Sequence, residues 1–150
     1  QAIGTSLSAD ATSGIVLSIG QGTTEPVLFE NVKRVTVISI PQACDYLYDG
    51  DDLAYIEYEK NIIDKKRIDA LTSLLANKLA SFKTRLNKQY EIYVSGGGSL
   101  VSGLCESLQA KIPDSIMIVK DPVYSNAIGL YKLGQMISST GVQQVTHHLQ

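Results

Sequence analysis

Two short β-branched runs in this sequence each end abruptly on glycines, and that pair constrains the fold more than any other feature. Gly14-Ile15-Val16-Leu17-Ser18-Ile19 leads into Gly20-Gln21-Gly22-Thr23-Thr24. About 75 residues later, Tyr90-Glu91-Ile92-Tyr93-Val94 leads into Ser95-Gly96-Gly97-Gly98-Ser99. A short apolar run bounded by glycine reads as a buried strand. Between the two, Ile68, Leu71, Leu75, Leu79, Phe82 and Leu86 recur in steps of three and four, which predicts a long amphipathic helix over 62–86. Lys65, Lys66, Lys78, Lys83 and Arg85 occupy its other faces.

The remaining segments fill in an alternating order. Val27-Leu28-Phe29 and the run from Val32 to Ile40 are two further β-rich stretches separated by Glu30-Asn31, so the first strand opens a three-stranded antiparallel meander. Pro26 falls near the start of the second strand, a position tolerated at a strand's beginning or on an edge. From Pro41 to Lys60 the pattern dissolves into an acidic, Tyr-rich stretch, read as a solvated loop with a short strand at 53–58. Its acidic run lacks the regular ligand spacing and closing Glu of a calcium loop. After the glycine run, Leu100, Leu104 and Leu108 stand one turn apart and predict a helix with Ser99 as N-cap. Ile116-Met117-Ile118-Val119 is a strand. Asp121-Pro122 caps a last helix over 123–136. The tail from 138 to 150, with His147 and His148, has no periodicity and is expected to fray, leaving 1–137 as one domain. The fold class is therefore α/β: a mixed sheet of three antiparallel strands followed by βαβα, flanked by helices.

Composition removes several classes of function. A chain of 150 residues with 44% hydrophobic residues has enough core to fold without disulfide or metal. Thirteen Lys and Arg against fifteen Asp and Glu, with no basic stripe, argue against a direct nucleic-acid or anionic-membrane partner. Cys44 and Cys105 belong to no Cys-x-x-Cys or Cys/His cluster, and read as free thiols in a reducing, cytoplasmic compartment. No apolar run approaches the length of a membrane span, and no signal peptide is apparent. The opening on Gln1 reads as the start of a processed or excised piece of a longer protein.

In a sheet of this kind, ligands sit in the crevice outside the carboxyl ends of the strands. Glycine at Gly20, Gly22, Gly96, Gly97 and Gly98 lets backbone N–H groups approach an anion. A helix starting at Ser99 would add its partial positive charge, and the hydroxyls of Thr23 and Thr24 are placed to donate to phosphate oxygens. Taken singly, each motif is equally a tight connection or a hairpin turn.

The two motifs together resemble a family. Ile15 to Glu25 is similar to the second phosphate-binding loop of the actin, heat-shock chaperone and sugar kinase superfamily. Ile92-Tyr93-Val94-Ser95-Gly96-Gly97-Gly98-Ser99-Leu100, with Gly103-Leu104, resembles that superfamily's adenosine motif. Asn126-Ala127-Ile128-Gly129-Leu130-Tyr131-Lys132 is similar to a segment of plasmid-segregation actins of the ParM type, and Gln1-Ala2-Ile3-Gly4 to the helix entering their second half. The resemblance implies a ribonuclease H-like domain II with its inserted subdomain reduced or absent. It further implies that Ser18, Gly20, Gln21, Gly22, Thr23, Thr24, Gly96, Gly97, Gly98 and Ser99 bind ATP or ADP with nucleotide-borne Mg2+. The implied partners are further copies of the chain in a filament and an adaptor protein.

One position departs from the family pattern. Ser18 stands where the family carries the Asp that orients water on the nucleotide's Mg2+, and serine supplies no negative charge. Efficient hydrolysis is lost, or Ser18 is an introduced change, or another carboxylate substitutes. With half of the two-sided cleft missing, the chain alone is expected not to turn over ATP. Two alternatives stand beside the nucleotide-binding reading: a non-catalytic assembly module with a vestigial site, and a sugar-kinase-like domain. The latter lacks a polar or aromatic cluster to hold a sugar.

Overall fold

β1 (Gly14–Ile19) is the hub of the sheet: it pairs antiparallel with β2 (Thr24–Glu30) on one side and parallel with β4 (Ile92–Ser95) on the other. The computed structural model describes residues 12–86 and 88–120, with Pro122, Val123, Tyr131 and Gln135. β3 (Lys33–Val37) extends the meander beyond β2, and β5 (Ile116–Ile118) lies parallel to β4, giving the order β3-β2-β1-β4-β5. The expected mixed sheet is the observed one. Pro26, third residue of β2, is not on an edge: it sits in an interior strand opposite Leu17, and its carbonyl accepts from Ile38 N–H at 3.3 Å.

Strand alternation separates two cores. Ile15, Leu17, Ile19, Leu28, Ile92 and Val94 point to one face, and Val16, Phe29 and Tyr93 to the other, where they meet Val119. The long helix crossing the first face is α2 (Lys65–Lys83). It starts at Lys65, capped by Asp64, whose carboxylate accepts from Lys66 N–H at 2.9 Å, and is three residues shorter at each end than the expected 62–86. Its Ile68, Leu71, Leu75, Leu79 and Phe82 are all buried, as their spacing requires. Each is worth roughly 1.5–3 kcal/mol of burial. Thr72, also buried, turns its hydroxyl to the Ile68 carbonyl at 2.8 Å and to Ser107 Oγ at 2.7 Å, joining α2 to α3 (Leu104–Gln109).

Two expectations are corrected. Residues 53–58 are not a strand but part of α1 (Asp52–Glu59), because Asp51 caps it by accepting from Ala54 N–H at 3.0 Å. The helix after β4 does not begin at Ser99. Gly97–Leu100 is a single 3-10 turn, and α3 starts at Leu104 behind Gly103, whose φ of 82° breaks any continuous helix. Leu100 is exposed while Leu104 and Leu108 are buried. The expected segments at Gln1–Gly4, over most of 121–136 and over 138–150, His147 and His148 included, lie outside the described residues.

Candidate functional site

Because β1 and β4 are parallel neighbours with Ser18 opposite Ser95, both glycine loops leave the sheet at the same end, side by side. The second loop packs on the end of β1, directly before the first loop begins. A Cβ on Gly96 would lie 2.4 Å from Ile19 O, and one on Gly98 would lie 2.3 Å from Ile19 Cγ2 and 3.1 Å from Cys44 Sγ. With φ of 86° as well, Gly96 excludes every other residue. These two glycines are explained by the loops' own packing. Gly97 is not: a Cβ there meets nothing within 4 Å, and the residue faces solvent.

The first loop is built differently. Gly20 N–H donates to Thr23 O at 3.0 Å, while the carbonyls of Gly20 and Gln21 accept from Cys44 and Asp45 at 3.2 and 2.8 Å. The amides of Gln21, Gly22 and Thr23 have no acceptor among the described residues, and all three residues are exposed. Thr24 is fully buried, and its hydroxyl donates to Gln42 O at 2.8 Å, so of the two threonines only Thr23 offers an exposed side chain. Ser99 is buried too, its hydroxyl donating to Gly96 O at 2.7 Å.

Ser18 and Ser95 are register partners on the sheet face opposite α2, with Glu25 paired to Ser18 on the other side. The carboxylate brought to the first loop was not singled out in the sequence: Asp45 Oδ2 lies 3.8 Å from where a Gly22 Cβ would stand. It belongs to a 3-10 turn, Cys44–Leu47, held against the loop by the backbone bonds above. Gln21 carries α1 into the same cluster. Its amide nitrogen donates to Tyr48 OH, and Tyr58 OH lies 3.5 Å from its Oε1. Tyr48 packs against Tyr55 and Tyr58 with ring centroids 5.0 and 4.8 Å apart. Burial pushes the Tyr58 hydroxyl well above its ordinary pKa, and burial likewise raises the neighbouring Cys44 thiol. Below the second loop, burial and then the charge of Glu106 push Cys105 up to about 11.

A groove of about 970 Å3 opens between the start of α2 and α3, lined by Ile63, Lys65, Ile68, Glu106 and Ala110 and by Ser102, three residues past the second loop. Among the described residues no three His, Cys, Asp or Glu side chains gather as a metal site.

Solved structures match this architecture over nearly the whole chain. The MamK double helical filament aligns with a TM-score of 0.74 at 15% identity, over 89% of this chain and 57% of that one. The apo psk41 ParM protein aligns at 0.69 and 24% identity, over 93% and 49%. MreB 5 of Spiroplasma citri bound to AMPPNP aligns at 0.63 and 18% identity, over 92% and 59%. The chain has an actin-like fold. It spans only about half the length of these actin-like proteins. No protein-family model and no curated protein matches the sequence. Among the described residues no helix is long and apolar enough to cross a membrane.

For a chain of this fold, the fit to a nucleotide is uneven. Exposed amides on the first loop and an open Gly97 on the second suit phosphate oxygens, which backbone N–H groups bind without a side chain. Ser18 offers Mg2+ a neutral hydroxyl, a poorer donor for a hard divalent cation than a carboxylate.

Proposed function

We propose that this chain is the nucleotide-binding, second half of an actin-like, filament-forming ATPase of bacterial type, cytoplasmic and acting in plasmid or DNA segregation or as a cytoskeletal element. The observation that carries the reading is the meeting of two glycine loops, distant in sequence, at the carboxyl ends of adjacent parallel strands. Gly20, Gln21, Gly22 and Thr23 hold the β- and γ-phosphates. Gly96, Gly97, Gly98 and Ser99 shape the α-phosphate and nucleoside side, with the neighbouring groove taking the nucleoside. Mg2+ arrives with the nucleotide, and Thr24 and Ser99 serve by fixing their loops. Phosphoryl transfer to water needs charge neutralisation from both sides of a closed cleft, so the chain alone binds without turning over.

The test is amide NMR of the labelled chain during titration with Mg-ATP and Mg-ADP into the millimolar range. Saturating shifts confined to 20–24 and 96–99 are expected. A folded chain whose loops do not respond overturns the reading. It leaves the second one, an actin-like assembly module with a vestigial site, which Ser18 and the internally bonded Thr24 hydroxyl favour.

A further inference from the structure

Of the two outer strands of the sheet, β3 is the longer and the more open. All five of its residues, Lys33–Val37, are exposed, and so is Ser39 just beyond. Pairing with β2 continues past the strand in one register: Thr36 stands opposite Leu28, Ile38 N–H donates to Pro26 O at 3.3 Å, and Ile40 N–H donates to Thr24 O at 2.8 Å. Residues of an antiparallel ladder alternate between facing the neighbouring strand and facing away from it. Because Ile38 and Ile40 face β2, Val37 and Ser39 turn their N–H and C=O groups outward, where no further strand of the described residues meets them. An outer strand open in this way is a template for one more strand.

Beside this edge, between β3 and the end of α2, lies a groove of about 750 Å3 with apolar walls from Leu28, Ile38, Phe82 and Leu86. Thr36 and Ile38, two residues apart and so on one face of β3, form its near side. Arg85 and Lys88 line it, and Lys33 stands opposite Glu30 in the β2–β3 register. Glu30 is the acidic residue of the lining, and it is engaged by Tyr90 OH and by Lys88 at 3.7 Å. Lys33 and Arg85 have no carboxylate partner among the described residues. The beginning of β3 is thus guarded. Lys33, Arg34 and the register break between Leu28 and Phe29 are the devices that keep the outer strands of two copies from pairing. The same cations favour a strand that carries carboxylates.

We propose that β3 takes up an extended segment of a partner protein as a sixth, antiparallel strand, and that the segment is a short β-branched run followed by acidic residues. Its main chain bonds to the outward groups of Val37 and Ser39. Its apolar side chains fill the groove against Ile38 and Phe82, and its carboxylates meet Lys33, Arg85 and Lys88 at the other end. In such strand addition the main chain supplies affinity, while the groove and its charges supply choice of partner. The inference goes beyond the proposed function and holds with or without nucleotide.

The probe is the peptide acetyl-Val-Thr-Val-Thr-Val-Glu-Glu-Glu-amide, titrated to millimolar concentration into the labelled full chain without nucleotide and followed by amide NMR. Saturating shifts confined to 33–40 and 82–90 are expected. Arg85→Glu, a change at an exposed side chain, should weaken binding about tenfold with the free chain's spectrum otherwise retained. The peptide with Lys in place of Glu should not bind. Two further peptides carry N-methyl groups on alternate residues of the Val-Thr run, one on each alternate set. Only one set faces β3, so one peptide should lose binding and the other keep it. Absence of shifts at 33–40, equal binding of the Lys peptide, or equal binding of both N-methylated peptides overturns the inference. So does pairing of the chain with itself through 33–40, seen by sedimentation velocity without peptide. None of these results touches the response of the glycine loops to Mg-ATP, which is measured separately.

Discussion

The two glycine loops look alike as sequence and differ as objects. In the second, Gly96 and Gly98 are wedged against Ile19, the last residue of β1, so the loop is a packed corner whose shape the core dictates. In the first, a Cβ on Gly22 would have only Asp45 Oδ2 at 3.8 Å, and the amides of three successive exposed residues have no acceptor among the described residues. Glycine therefore serves two purposes within one site. Between Ile19 and the second loop it permits contact closer than any side chain allows. At Gly22 and Gly97 no packing demand accounts for it, and open backbone there is what the proposed nucleotide site asks for.

The largest expected effect tests the packed corner. Gly98→Ala drives a methyl into Ile19, and Gly96→Ala adds a left-handed backbone that alanine resists. Each should cost about 3 kcal/mol or more, read as a lowered midpoint in urea with an unchanged slope. A loss below about 1 kcal/mol for both would break the distinction between the loops.

How much of this was legible follows from where the physical cause lies. α2 could be read directly, because Ile68 to Phe82 write their burial into a local period. α1 could not: it has no buried residue, so no apolar period forms, and Tyr55, Ile56 and Tyr58 read as strand formers. Its signal was Asp51 as a cap. The helix over 100–108 was misplaced because Leu100, Leu104 and Leu108 are regularly spaced, although Leu100 faces water and Gly103 breaks the path. The meeting of the loops was legible from the strand–helix–strand order, whereas the reason for Gly96 and Gly98 was not, since their steric partner Ile19 belongs to a remote strand. Asp45 was hidden for the same reason, within a run that reads as a solvated turn.

Alkaline pH probes the floor of the second loop. Cys105 Sγ lies 3.9 Å from Ser99 O, and burial holds its thiol neutral up to about 11 against an ordinary 9.0. Folding thus favours the protonated thiol. The associated stability is complete below pH 9 and is lost as pH rises toward 11, where the unfolded chain ionises first. Cys105 should account for about 2 kcal/mol of the loss, read as the difference between the pH profiles of the native chain and Cys105→Ala, because the buried Cys44 thiol contributes in the same direction to both. A flat profile between pH 9 and 11 would show that the corner is wetter than its packing implies.

A smaller effect, of opposite sign, concerns the meander. The β2–β3 turn puts Asn31 and Val32 at φ of 52° and 61°, a conformation that β-branched residues resist. Val32→Gly keeps the backbone N–H that donates to Thr12 O at 2.9 Å while relieving the strain. It should raise stability by about 1 kcal/mol. Because the turn lies at the far end of the sheet, it should leave the response of both loops to nucleotide unchanged, which makes it the control for every loop variant.

The smallest effect on stability is the most informative. Gly97 lies between the two wedged glycines, has open space where a side chain would go, and keeps an ordinary backbone conformation. If its neighbours are glycine for packing and Gly97 is glycine for a ligand, Gly97→Ala should change stability by no more than about 0.5 kcal/mol. It should nevertheless weaken Mg-ADP binding about tenfold, because a methyl on the exposed side of the turn occupies the space a phosphate or ribose needs. Calorimetry and urea unfolding on the same sample give both numbers. Loss of affinity with stability retained assigns Gly97 to the ligand. Unchanged affinity would leave the second loop as a packed corner alone and put nucleotide recognition on Gly20, Gln21, Gly22 and Thr23.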